Sequence, residues 1–104
     1  MPLSTLHANR YTRYIICYDI ADDRRRYHLV KCLEDYGERV QYSVFEVLAG
    51  SETIDALKVK IDNIVDYVED SIFIYLLDAN SEAQIIRKGI RRYHIPECKQ
   101  FMIV

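Results

Sequence analysis

The chain is poor in the residues that interrupt regular structure. Three glycines and two prolines in 104 residues leave no Gly/Pro-rich linker, and half of the residues are hydrophobic. That balance excludes a disordered or low-complexity chain. Cysteine is scarce as well. Cys17, Cys32 and Cys98 are odd in number and widely spaced, with no C-x-x-C pair. They exclude a disulfide framework and point to reduced thiols in a cytoplasmic protein. His7, His28 and His94 are equally scattered, so no zinc cluster is expected. No apolar run approaches the roughly 20 residues of a membrane helix. The opening MPLSTLHANRYTR lacks the apolar stretch of a signal peptide. No Walker loop, nucleophile elbow, EF-hand or H-E-x-x-H segment is present. A net charge of −2 gives no global argument for a nucleic-acid partner, although the arginines are clustered.

What is there reads as a polar lead-in, residues 1–13, followed by one domain, residues 14–104. Residues 13–20 are strand-like and apolar on both parities. Asp22 or Asp23 is placed to cap a helix whose stripe is Leu29, Cys32, Leu33 and Tyr36, with Gly37 ending it. The run RVQYSVFEVL is β-rich, either one bent strand or a pair split near Tyr42-Ser43. Ser51 is the expected N-cap of a second helix with the stripe Ile54, Leu57, Ile61, Ile64, Val65 and Val68. SIFIYLL is a further strand, residues 81–88 are weakly helical, and residues 101–104 suit a short last strand. The order predicts an α+β, ferredoxin-like βαββαβ sandwich with a short C-terminal extra strand. Two helices cover only one face of such a sheet, yet Ile15/Cys17 and Phe73/Tyr75/Leu77 are as apolar as their alternates. The second face is therefore expected to meet another copy in a two-fold homodimer.

Chemistry concentrates in YIICYDIADDRRR. Asp19 ends an apolar strand, where a carboxylate costs desolvation unless something pairs with it. One solution is structural: a turn cap or an ion pair with a nearby arginine. The other is chemical: a two-fold axis brings two copies of Asp19 together around a hard divalent ion. Of the arginines, helical arithmetic turns Arg24 outward and sends Arg25 and Arg26 toward the start of the core stripe. Arg26 would reach the neighbourhood of Asp19. Three arginines at a helix N-terminus oppose the helix dipole, which favours an anionic ligand there; a solvated basic turn paired with Asp22 and Asp23 is the alternative. A second basic cluster, Arg87, Lys88, Arg91 and Arg92, runs into Tyr93 and His94.

YDIADDRRR, then a helix ending YG, then RVQYSVFE, resembles the CRISPR-associated Cas-two family over about residues 14–77. The resemblance implies a ferredoxin-like homodimer in which Asp19 holds Mg²⁺ or Mn²⁺ facing its symmetry mate, with Tyr18 as its catalytic neighbour. It places Arg26, Arg39, Ser43 and Phe45 around the nuclease centre or the nucleic acid, and makes Arg24 and Arg25 phosphate contacts beside them. His28 and the lead-in before Tyr14 depart from the family pattern. Two functions are implied: a metal-dependent endonuclease on single-stranded RNA or double-stranded DNA, and a scaffold that bridges Cas-one integrase dimers during spacer acquisition. A toxin-type ribonuclease of the virulence-associated protein D kind is the more distant alternative.

Overall fold

The computed structural model describes residues 11–89. The strand-like run of the N-terminal third forms β1 (Thr12–Asp19), beginning two residues inside the expected lead-in. Asp22 takes up the extended conformation of an N-cap and its carboxylate accepts from the Arg25 amide, opening α1 (Asp23–Glu34). β2 (Gly37–Gln41) and β3 (Val44–Ala49) turn about Tyr42-Ser43, so RVQYSVFEVL is a hairpin and not one bent strand. α2 (Ser51–Asp62), β4 (Ser71–Leu77) and a short α3 (Ala79–Ala83) complete the described order.

The strands form one antiparallel sheet in the order β2-β3-β1-β4, which is the predicted ferredoxin-like βαββαβ arrangement. Tyr14, Ile16 and Tyr18 of β1 and Phe45 and Val47 of β3 share one face. They join Leu29, Val30, Leu33, Ile54, Leu57 and Ile61 of the two helices in a single core. Each such side chain, fully buried, stabilises the fold by about 1.5–3 kcal/mol. The opposite face carries Arg13, Ile15, Cys17 and Asp19, with Phe73 and Tyr75 facing Cys17 and Ile15 across the ladder. Phe73 and Tyr75 stay more than half exposed. Among the described residues neither α1 nor α2 covers this second, partly apolar face.

Four local expectations are corrected. Gly37 does not end α1 in a left-handed conformation; the helix closes at Asp35 with right-handed backbone. Gly37 instead opens β2, where a Cβ would lie 2.0 Å from the Glu46 carbonyl oxygen, so only the missing side chain lets the two strands approach. Ser51 is already inside α2, whose N-cap is Gly50. Val68 is 93% exposed because α2 stops at Asp62 and the helical stripe ends with it. The weak helix expected over residues 81–88 is shifted to α3, where Asp78 caps the Ser81 amide. The last strand at residues 101–104 lies outside the described residues.

Candidate active site

Asp19 is the last residue of β1, exposed on the open face and registered opposite Ser71. The covered parity of the strand takes Tyr18, so the two neighbours point to opposite sides of the sheet. Tyr18 is buried; its hydroxyl donates to the Tyr42 carbonyl at 3.1 Å and accepts from Arg39 Nη2 at 3.1 Å. Burial pushes its phenol pKa up despite the opposing Arg39 charge, so it stays protonated at neutral pH. Tyr18 thus lies on the side of the sheet opposite Asp19, in a second cluster on the helix-covered face.

That cluster forms where β2 crosses β3. Arg39 registers opposite Phe45, and its guanidinium lies 5.7 Å from the Tyr42 ring centre and 5.8 Å from that of Phe45. Phe45 has no solvent exposure and packs with a tilted Tyr18 ring 6.3 Å away. A direct contact with nucleic acid is closed to it, and its part is to support Arg39. Ser43 accepts the Tyr18 amide through its carbonyl at 3.1 Å, tying the hairpin turn to the end of β1. Tyr42, which the sequence did not single out, is 66% exposed at that turn.

The three arginines have three fates. Arg24 is exposed and makes no hydrogen bond or ion pair with the described residues. Arg25 is committed inward: Nε donates to Asp70 Oδ2 at 2.8 Å, and Nη2 donates to Asp70 Oδ1 and Glu69 Oε1, each at 3.1 Å. The fork expected to grip phosphate grips the Asp70 carboxylate in the folded chain. Arg26 donates to Asp23 at 2.7 Å and to the Ile20 carbonyl at 3.0 Å, at the end of β1 as the helical arithmetic required.

Asp70 is the charged residue that sequence reading missed. Its side chain has no solvent exposure and accepts from Arg25, from the Ala21 amide and from the Asp66 amide, both amides at 2.9 Å. The Arg25 hydrogen bonds, aided by those amides, hold its pKa well below the usual carboxylate range against the cost of burial. A signal existed: Asp70 abuts the apolar run SIFIYLL just as Asp19 abuts YIICY, and the same question of its partner applied.

On the open face Glu46 binds Arg13 at 2.9 Å and Arg87 at 2.6 Å, and Arg13 also donates to Glu82. Arg87 is thus tied to the sheet, Lys88 is exposed, and Arg91, Arg92, Tyr93 and His94 lie outside the described residues. Among the described residues no three His, Cys, Asp or Glu side chains gather to hold a metal. Asp19 gives one hard oxygen donor group per chain. That suits an ion such as Mg²⁺, which keeps waters and takes one or two carboxylates, only when a second copy supplies the partner.

A ferredoxin-like α+β protein, with an exposed carboxylate ending its first strand and arginines flanking it, is the class that fold and site define. The chain belongs to the CRISPR associated protein Cas2 family, whose sequence profile matches residues 12–85. A CRISPR-associated endoribonuclease Cas2 of Thermus thermophilus is 38% identical over 86 residues, covering 80% of this chain and 92% of that protein. A CRISPR-associated endoribonuclease Cas2 of Rhodospirillum rubrum is 43% identical over 72 residues, 69% of this chain and 58% of the relative. Among solved structures, Streptococcus pyogenes Cas2 superposes with a TM-score of 0.66 at 32% identity, over 74% of this chain and 99% of that one. A chain of a partial Cas6-RT-Cas1–Cas2 complex gives 0.64 at 34% identity, over 73% and 89%.

Proposed function

We propose that this chain works in CRISPR spacer acquisition as a homodimer that binds nucleic acid, bridges Cas1 integrase dimers and carries a divalent-metal endonuclease centre at paired copies of Asp19. The observation that carries the reading is the position of Asp19, exposed at the end of a partly apolar sheet face that neither α1 nor α2 covers. Two copies packed through Phe73, Tyr75, Cys17 and Ile15 would bury that face. Their two Asp19 carboxylates would then need a cation between them. When bound, Mg²⁺ or Mn²⁺ supplies a water of lowered pKa and polarises the phosphodiester.

The chain's own residues do the rest. Asp19 orients the cation, Arg24 meets the phosphate backbone, and Arg39 with Tyr42 presents a charged and aromatic edge to single-stranded RNA or duplex DNA. Curated relatives bear the name endoribonuclease, and a similar chain sits in a complex with Cas1, which supports a nuclease and a scaffold alike. No observation favours the toxin-type alternative.

The test pairs two readouts on the purified protein and its Asp19→Ala variant. Cleavage of RNA and duplex DNA, with and without Mg²⁺, is expected to fall to background in the variant. Spacer acquisition in cells then separates the roles. Acquisition that survives Asp19→Ala leaves the scaffold as the working function, and undiminished cleavage by Asp19→Ala removes the metal centre.

A further inference from the structure

The Ile20 carbonyl and the Ala21 N–H are the two ends of one peptide unit, the second unit after Asp19. Each end is gripped by a different side chain: Arg26 Nη2 donates to the carbonyl at 3.0 Å, and Asp70 Oδ1 accepts the N–H at 2.9 Å. Such a unit cannot rotate without breaking both bonds. Before it, the ladder pairing of Asp19 with Ser71 holds the strand end, and Ser71 directly follows Asp70. The carboxylate of Asp70 is itself held by Arg25 and by the Asp66 amide, so it cannot follow the loop if the loop moves.

We infer that Asp70 and Arg26 are positioning residues, two jaws that fix the Ile20-Ala21 peptide plane and through it the direction of the Asp19 carboxylate. The functional meaning of the clamp rests on the metal-site reading of Asp19 given above. Its geometry explains why a buried charge is kept where a well-packed apolar residue would be cheaper. It also explains why the middle arginine of the run is spent on a carboxylate. Asparagine cannot replace Asp70. Each Asp70 oxygen accepts from Arg25 and from one backbone amide, so either orientation of an asparagine amide would set its NH₂ against two N–H donors.

The test uses the full chain and the variants Asp70→Ala and Arg26→Gln, each of which removes one jaw. NMR hydrogen exchange at the Ala21 amide and the side-chain ¹³C signal of Asp19 are read without metal. Cleavage kcat and KM are read with Mg²⁺. Both variants are expected to speed Ala21 exchange at least about tenfold and to shift or split the Asp19 signal, while the Ile54, Leu57 and Ile61 amides of α2 keep their protection. A kcat reduced about tenfold at unchanged KM accompanies this, the mark of a misdirected group and not of lost binding. Wild-type Ala21 protection with an unmoved Asp19 signal in either folded variant overturns the clamp. If Asp70→Ala does not fold, Arg26→Gln carries the same decision with Asp70 intact. Wild-type cleavage by Asp19→Ala would overturn the metal centre alone, because the Ala21 and Asp19 signals are read in its absence.

Discussion

On β1, Tyr14, Ile16 and Tyr18 are buried beneath the helices, whereas Ile15, Cys17 and Asp19, each one residue along, are turned to the uncovered side. Both faces of the sheet carry apolar side chains, the open one with Arg13, Asp19 and Glu46 among them, and they differ in how the apolar area is covered. On the covered face the area is enclosed by α1 and α2 within one chain. On the open face Phe73 is 57% and Tyr75 is 51% exposed among the described residues. The contrast teaches that a two-residue period, not hydrophobicity, separates what folds this protein from what it presents. Tyr18 and Phe45 read as site residues by motif and are core by parity; Asp19, between Tyr18 and Ile20, is neither covered nor paired by the helices.

The comparison can be broken by substitution. The largest effect is expected for Phe45→Ala on the covered face, a loss of about 4 kcal/mol in denaturant unfolding. Phe73→Ala, an equal truncation on the open face, should cost the isolated chain less than about 1 kcal/mol and appear instead as weakened self-association in sedimentation. Equal losses for the two phenylalanines would erase the distinction. Gly37→Ala comes next, on the order of 3 kcal/mol, because the new methyl meets the Glu46 backbone, which has no rotamer to yield.

Smaller effects sharpen the picture at the arginines. Arg24→Ala should leave the melting temperature within error and reduce the salt slope of nucleic-acid binding by about one counterion. Arg25→Ala should do the reverse, lowering stability by uncovering Asp70 with little change in that slope. The acid response follows from the same pair. The folded pKa of Asp70 is depressed, so its stabilisation is fully present above the ordinary carboxylate range and is lost as pH falls toward the folded value. Melts should therefore show the clamp intact at pH 5. The smallest signal is optical. Tyr67, 55% exposed but its phenol pushed up to about 12 by desolvation and its hydrogen bond to Asp62, and buried Tyr18, also pushed up, should ionise late in an alkaline absorbance titration.

Much of this was legible in the sequence, because the determinants are periodic. The strand-helix order and the apolar second face follow from spacing, while the hairpin at Tyr42-Ser43 and the choice of Asp22 over Asp23 as cap are two-way alternatives that the fold resolves. The misreadings were positions where a long-range neighbour decides. Gly37 answers to Glu46 across the hairpin, not to the helix before it. Arg25 answers to Asp70, 45 residues away, and nothing local announces that partner. Phe45 and Tyr18, which the family motif places around the site, share the helix-covered parity and are buried there.

The outermost position of β4 has a consequence for handling the protein. Among the described residues β4 is paired on one side only, by β1, and its sequence SIFIYLL contains no charge, proline or glycine. Natural edge strands usually carry such gatekeepers against strand-to-strand growth. Seven uncharged β-formers on an open edge have the composition of a fibril-forming segment. Conditions that strip partners from this sheet, such as dilution at high temperature, should turn a solution of this protein cloudy before they unfold its core.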